Sequence, residues 1–125
     1  MMLLFVRVAR RIQRIDSRAI TAAVIVAILT HLVEISVFAL GIQILVGTGR
    51  FGQLISIEGP TSEYLYYSAV TYTTLGYGDI TPVGAIRFVA AAESLTGLVL
   101  SAWTASLLFA SVQRFVGDVE DKNEN

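Results

Sequence analysis

The hexapeptide Thr74-Leu75-Gly76-Tyr77-Gly78-Asp79 decides how the rest of this 125-residue chain is interpreted. Two glycines alternate with a threonine, a leucine and a tyrosine, which is an unusual composition for a packed segment. Glycine adopts positive φ without steric cost, so Gly76 and Gly78 let the backbone alternate in hand and turn successive carbonyls to one side. Four such segments around an axis would stack rings of carbonyl oxygens. Rings of this kind can replace the hydration shell of a dehydrated monovalent cation.

The composition of the chain is that of a membrane protein. Hydrophobic residues make up 54% of the sequence and charged residues only 15%, with a mean hydropathy of +0.67; soluble domains carry about 25% charged residues. The length predicts one small domain. The sequence contains no cysteine, which excludes disulfides and thiolate metal sites. The net charge of −1 identifies no partner, and we expect no nucleic-acid binding.

Residues 1–18 predict a basic amphipathic helix that lies on the inner leaflet of the membrane. At about 100° per residue, its apolar and basic side chains fall on two different faces. The apolar face holds Leu4, Phe5, Val8, Ile12 and Ile15, and the basic face holds Arg7, Arg10, Arg11, Arg14 and Arg18. The arginines would contact anionic lipid headgroups. A soluble basic arm is the alternative.

Residues 19–46 predict the outer transmembrane helix. A run of about 20 apolar residues crosses a bilayer, and this run is long enough to cross with tilt. Five arginines precede it, whereas the loop that follows carries only Arg50. The positive-inside rule therefore places the N-terminus in the cytoplasm. With a second span, the chain becomes a multi-pass protein of the cell membrane with both termini cytoplasmic.

Residues 47–60 predict an extracellular turret loop, and residues 61–83 a helix that crosses half of the bilayer and returns. Thr61 or Ser62 can cap the helix start, and Glu63 suits the first turn. Three turns reach about 15 to 18 Å. A helix that ends at this depth needs protein or a water-filled cavity around its last carbonyls, and its partial negative charge favours a cation there.

These residues resemble the pore helix and selectivity filter of potassium channels, in particular the two-transmembrane-helix pores of the bacterial ion-channel family. The resemblance implies a tetramer in which backbone carbonyls bind dehydrated K⁺, with no organic cofactor. The implied ion-binding residues are Thr74, Leu75, Gly76, Tyr77 and Gly78, with K⁺ itself at the first four. The Thr74 hydroxyl would add one more ring of oxygens.

The resemblance also implies side chains that support the filter. Many relatives carry a glutamate four residues before the first filter threonine, bonded to the aspartate after the filter, but this chain has Val70 there. Asp79 therefore lacks its usual carboxyl partner, and Tyr67 is the expected donor in its place. Thr71 belongs to the same supporting run. Leu75 replaces the commonest valine, a mild change because this residue contributes its carbonyl.

Residues 84–116 predict the inner transmembrane helix, followed by a short cytoplasmic tail over residues 117–125. The helix is rich in small residues, which allow close helix packing in membranes. By the resemblance, Gly97 lies at the hinge glycine of the family; close packing of a neighbour at this glycine is the alternative. Helical spacing and the same resemblance predict Leu98, Ser101 and Ala105 as cavity-lining residues.

Three ionisable residues lie inside the predicted spans: His31, Glu34 and Glu93. Such residues are costly in a membrane and normally face protein or a water-filled cavity. Their similar depths predict one buried polar cluster behind the pore helix that reaches Thr71 or Tyr72. Two alternatives remain: a metal site, for which these ligands are few, and an aqueous cavity lined by Glu93.

The sequence thus predicts an all-α membrane protein with an outer helix, a re-entrant pore helix plus a filter strand, and an inner helix, assembled as a four-fold tetramer. The predicted function is a potassium-selective channel and not an enzyme, with K⁺, the lipid bilayer and three further copies of the chain as partners. A nonselective cation channel and a non-conducting scaffold or regulatory subunit are the alternatives. A metal-dependent enzyme using the three ionisable residues would lack a nucleophile.

Overall fold

The computed structural model describes residues 17–56 and 61–123. In chain order these residues form α1 (Ser17–Gly47), β1 (Gln53–Ile55), α2 (Thr61–Tyr72), β2 (Thr81–Val83) and α3 (Ile86–Asn123). The predicted interfacial helix over residues 1–18 lies, apart from its last two residues, outside the described residues. Residues 29–102 form one compact unit, which holds the end of α1, both strands, α2 and the first part of α3. Residues 17–28 and 103–123 belong to a second unit made of helix only.

Two helices are long and apolar enough to cross a membrane. The candidate spans are Arg18–Gly47 within α1 and Ile86–Gly117 within α3, with 30 and 32 residues. At 1.5 Å per residue both exceed the hydrocarbon thickness of about 30 Å. Large apolar side chains on α1 point outward, and eight of them are more than half exposed: Ile25, Ile28, Leu29, Leu32, Val33, Val37, Leu40 and Ile44. Exposure of such a large apolar surface to water is unfavourable, and lipid or another copy of the chain can cover it.

The sequence predicts that α3 ends near Gly117, but the helix continues to Asn123. A glycine inside a helix costs only about 1 kcal/mol relative to alanine. The residues that follow contain no proline, and they include Glu120 and Lys122, which are good helix formers. The change from apolar to polar composition therefore marks the end of the candidate span, and not the end of the helix.

A short antiparallel sheet was not predicted, and it corrects the all-α assignment. Gln53 pairs with Val83, Leu54 with Pro82 and Ile55 with Thr81. Strands of three residues are too short to give a periodic signal in sequence. The proline in β2 cannot donate a backbone hydrogen bond, which restricts it to an edge strand. This two-stranded sheet, whose strands are both edges, joins the predicted turret loop to the segment that follows the filter motif.

The core of the unit formed by residues 29–102 is small and draws on four elements. It consists of Ile42 from α1, Leu54 from β1, Tyr67 from α2, and Ile86 and Ala90 from α3. Ile42 and Ile86 are fully buried. Burying one such side chain contributes about 1.5–3 kcal/mol. This core fixes α2 between the two long helices and thereby positions the segment that follows it.

Candidate functional site

Residues with positive φ alternate with residues of ordinary φ along the filter motif. Thr74, Gly76 and Gly78 have φ of +61°, +54° and +80°, so every second residue has positive φ. The sequence predicts this conformation for the two glycines but not for Thr74. A threonine rarely adopts positive φ, and its amide is held by the carbonyl of Thr71 at 3.0 Å. The alternation of φ therefore starts at Thr74, before the first glycine, and continues to Gly78.

The start of the motif is bonded to the last turn of α2. The Val70 carbonyl accepts hydrogen bonds from the amides of Leu75, at 3.0 Å, and Gly76, at 3.2 Å. The last carbonyls of a helix have no partner within the helix, and here the returning chain supplies the donors. Val70, which the sequence places among the supporting residues, thus contacts the filter segment through its backbone.

A further bond to the end of α2 comes from α3. The Ser94 hydroxyl donates to the Thr71 carbonyl at 2.9 Å. Ser94 was not predicted from the sequence, although a polar residue next to Glu93 on an apolar helix was the available signal. Thr71 therefore accepts from both Thr74 and Ser94, which ties the filter segment to the inner helix through one carbonyl.

Gly97 of α3 lies directly against the end of α2. A β-carbon at this position would clash with the carbonyl oxygen of Tyr72 and lie 3.0 Å from its ring atom Cδ1. Since α3 is helical on both sides of Gly97, this geometry favours the close-packing interpretation of the glycine. Its role as a hinge stays a prediction.

Asp79, which follows the filter motif, is bonded to a different tyrosine from the one expected. The Tyr66 hydroxyl donates to Asp79 Oδ2 at 2.7 Å, and the Ile80 amide donates to Oδ1 at 3.0 Å. The bond from Tyr66 lowers the pKa of Asp79 below its ordinary value. Tyr67 was the wrong choice because neighbouring helical residues point about 100° apart, and Tyr67 is buried in the core.

The three ionisable residues expected in one cluster separate into two hydrogen-bonded groups. In the first, the Tyr72 hydroxyl donates to Glu34 Oε2. His31 Nδ1 lies 2.9 Å from the same hydroxyl oxygen and 3.1 Å from Glu34 Oε2. Because Tyr72 gives its one proton to Glu34, its oxygen can only accept from His31, so Nδ1 carries a hydrogen. The one Nδ1 hydrogen then lies between the Tyr72 oxygen and Glu34 Oε2, so Glu34 receives the Tyr72 proton and a share of the His31 hydrogen.

The second group lies between α3, α2 and α1. Ser68 and Glu93 are both 0% exposed, and the Ser68 hydroxyl lies within hydrogen-bond distance of Glu93 Oε1. Ser68 also donates to the Ile35 carbonyl of α1 at 2.8 Å. Glu93 Oε2 has no hydrogen-bond partner. Glu93 thus faces protein within its own chain, which contradicts the alternative that it lines an aqueous cavity.

The described residues contain no group of three or more His, Cys, Asp or Glu side chains that could hold a metal ion. Glu93 bonds to Ser68, whereas His31 and Glu34 bond to Tyr72. Leu98, Ser101 and Ala105, the predicted cavity-lining residues, are exposed on the single chain. Their position along a conduction path stays a prediction.

Comparison with known proteins identifies the class. A family model described as "Ion channel" matches residues 30–114, more than half of the chain. The chain belongs to this family of ion channels with two membrane-spanning helices, and it is a membrane protein.

Two curated relatives share a shorter region with the chain. Protein LctB of Bacillus caldotenax is 47% identical over 38 residues, and Protein LctB of Geobacillus stearothermophilus is 50% identical over 38 residues. Each match covers 30% of this chain and 28% of the relative. The chain therefore spans less than a third of the length of the curated relatives it matches. No solved structure matches the chain.

Proposed function

We propose that the chain is one subunit of a tetrameric potassium-selective channel whose filter is residues 74–78. The observation that carries the proposal is the alternation of positive φ at Thr74, Gly76 and Gly78 in a segment bonded to the end of a half-length helix. Alternating hand is what a backbone needs if successive carbonyl oxygens are to face one side. The motif predicted from sequence therefore has the backbone alternation that a carbonyl-lined cation site requires, which supports the proposal.

The chemistry of the segment favours K⁺. Residues 74–78 carry no charged side chain, so the ligands they offer are neutral carbonyl oxygens and the Thr74 hydroxyl. Rings of such oxygens replace the hydration shell of K⁺ in filters of this kind. The C-terminal end of α2 adds the partial negative charge of a helix terminus. The ion is the transported substrate, and no organic cofactor or catalytic role is inferred.

The exposure of the motif on a single chain supports an assembly. Leu75 is 57% exposed and Tyr77 67% exposed, and the rest of residues 73–79 is exposed as well. One chain supplies one filter segment, so a closed ring of oxygens requires copies arranged around an axis. We propose four copies in the cell membrane, with both termini in the cytoplasm and anionic lipids at the inner leaflet.

The test is cation flux from liposomes that contain the purified protein, driven by a potassium or a sodium gradient. We expect flux with potassium and little with sodium. Equal flux of both ions would replace the selective channel with a nonselective one. No flux over a range of pH and voltage, together with no binding of a potassium-channel pore blocker, would favour a non-conducting scaffold.

A pair of glycine variants connects the flux to the motif. Gly76 and Gly49 both have positive φ, of +54° and +67°, and a β-carbon at either position would meet open space in the single chain. Alanine therefore introduces similar local strain at the two sites, about 1–2 kcal/mol. We expect Gly76→Ala to abolish selective flux and Gly49→Ala to preserve it. Similar loss in both variants would contradict the assignment of the filter.

A further inference from the structure

The hydrogen atoms around Glu93 are fewer than the acceptors. The Ser68 hydroxyl has one proton, and two acceptors lie within its reach: the Ile35 carbonyl, at 2.8 Å, and Glu93 Oε1. If Ser68 donates to Ile35, its contact with Glu93 is a hydrogen bond only when Glu93 is the donor. A carboxyl group can donate only in its protonated form.

The surroundings of Glu93 agree with a neutral acid. The side chain is 0% exposed and Oε2 has no partner, so a carboxylate would leave a buried charge without compensation. The titratable groups that face it are Tyr67 and Tyr72 on α2 and, from α1, Glu34 with its bound His31. Among the described residues, the ion pair on this side of the chain joins His31 to Glu34 and does not reach Glu93.

We propose that Glu93 is a positioning residue held as a neutral acid: its O–H donates to Ser68, and Ser68 donates to the Ile35 carbonyl. These two consecutive hydrogen bonds tie α3 through α2 to α1 and fix the rotation of the pore helix about its axis. The inference rests on membership of the ion-channel family and on this geometry. It does not depend on selectivity for K⁺.

Glu34 provides the internal control for this proposal. It receives hydrogen bonds from Tyr72 and His31, whereas Glu93 meets a single hydroxyl whose proton is already used by Ile35. Substitution of either glutamate by glutamine keeps the shape of the side chain and removes only the acid.

The decisive measurement is infrared spectroscopy of the full-length protein in lipid at neutral pH. We expect the C=O stretching band of a protonated carboxylic acid, which shifts on exchange into D₂O. Glu93→Gln removes this band, and Glu34→Gln leaves it unchanged. Absence of the band in the unsubstituted protein, or its survival in Glu93→Gln, would overturn the proposal. This readout needs no ion flux, so it fails or succeeds independently of the proposed conduction.

A second measurement tests the positioning role through conservative rescue. Glutamine can still donate to Ser68 through its amide nitrogen, so we expect Glu93→Gln to keep cation flux within about twofold of the unsubstituted level. Glu93→Leu removes one of the two hydrogen bonds and Ser68→Ala removes both, so we expect each variant to lower the flux by about tenfold or more. Equal loss in Glu93→Gln and Glu93→Leu would contradict the role of the hydrogen bond.

Discussion

Two glutamates flank the same short helix, and the structure gives them opposite surroundings. Glu34 on α1 receives hydrogen bonds from Tyr72 and His31 and is 16% exposed on its side chain. Glu93 on α3 is 0% exposed and meets only the Ser68 hydroxyl, whose one proton also has the Ile35 carbonyl within reach. Residue type and approximate depth are the same. Two carboxyls of the same type and at similar depth therefore receive different numbers of donors from the helices around them.

The largest change in the free energy of unfolding is expected at the contact between α3 and the end of α2. This contact positions α2, which carries both Tyr72, the partner of Glu34, and Ser68, the partner of Glu93. Gly97→Ala places a β-carbon against the Tyr72 carbonyl oxygen, a backbone atom that cannot move without shifting α2. We expect a loss of about 2–3 kcal/mol in the free energy of unfolding, the upper range for overpacking. Denaturant titration of the protein in detergent or lipid gives this value.

The matched control is Gly41→Ala. Gly41 lies inside α1, and a β-carbon there meets nothing within 4 Å. Alanine at this position raises helix propensity, so we expect a gain of about 0.5–1 kcal/mol. A gain in stability in both variants would mean that helix propensity, and not close approach, governs Gly97.

The next largest changes in unfolding free energy compare the hydrogen bonds of Glu34 with those of Glu93. Tyr72→Phe leaves the partly buried Glu34 carboxyl without its donor from α2 and should cost about 1–3 kcal/mol of unfolding free energy. Ser68→Ala breaks bonds between neutral groups and should cost about 1 kcal/mol. Double-mutant cycles sharpen the contrast: Tyr72→Phe couples to Glu34→Gln, and its cost is unchanged in Glu93→Gln. Coupling of Tyr72 to Glu93 as strong as to Glu34 would join the groups into one network.

The smallest effect is expected at Asp79, where a tyrosine meets a carboxylate on the surface. The bond from Tyr66 lowers the pKa of Asp79, so the pair is intact above the ordinary range of aspartate and is lost as the pH falls through the lowered pKa. Tyr66→Phe should move the pKa of Asp79 upward, toward its ordinary value. NMR titration of the Asp79 carboxyl carbon measures the shift.

The control at this site is Tyr64→Phe. Tyr64 is on the same helix but packs against the core near Tyr67. Its hydroxyl takes no part in the bond between Tyr66 and Asp79, so the pKa of Asp79 should stay unchanged. An unshifted pKa in Tyr66→Phe as well would show that the bond does not form in solution.

The parts of this molecule that sequence predicts well are those with local causes. The two long apolar runs and the short helix that starts at Thr61 follow from length, composition and capping. The positive φ of Gly76 and Gly78 follows from the absence of a side chain. Such features depend on residues that are neighbours in the chain, so they can be recognised before any packing is known.

The parts that sequence missed depend on rotation and register between elements. Tyr66 and Tyr67 are adjacent and chemically alike, and only the orientation of α2 decides which one reaches Asp79. Depth along the helices suggested that Glu93 would meet Glu34, but each carboxyl bonds to its own residue of α2: Ser68 for Glu93 and Tyr72 for Glu34. The sheet formed by β1 and β2 results from pairing across 25 intervening residues, for which three-residue strands give no local signal.

That short sheet has a consequence for the assembly of the protein. It closes the chain between Ile55 and Thr81, so α2 and the filter motif form one loop whose two ends are fastened together. The entropy of closing this loop is then lost within a single subunit, before any subunit meets another. In the proposed tetramer, subunits would therefore meet with this loop already closed, and we expect the docking of folded subunits to set the rate of assembly.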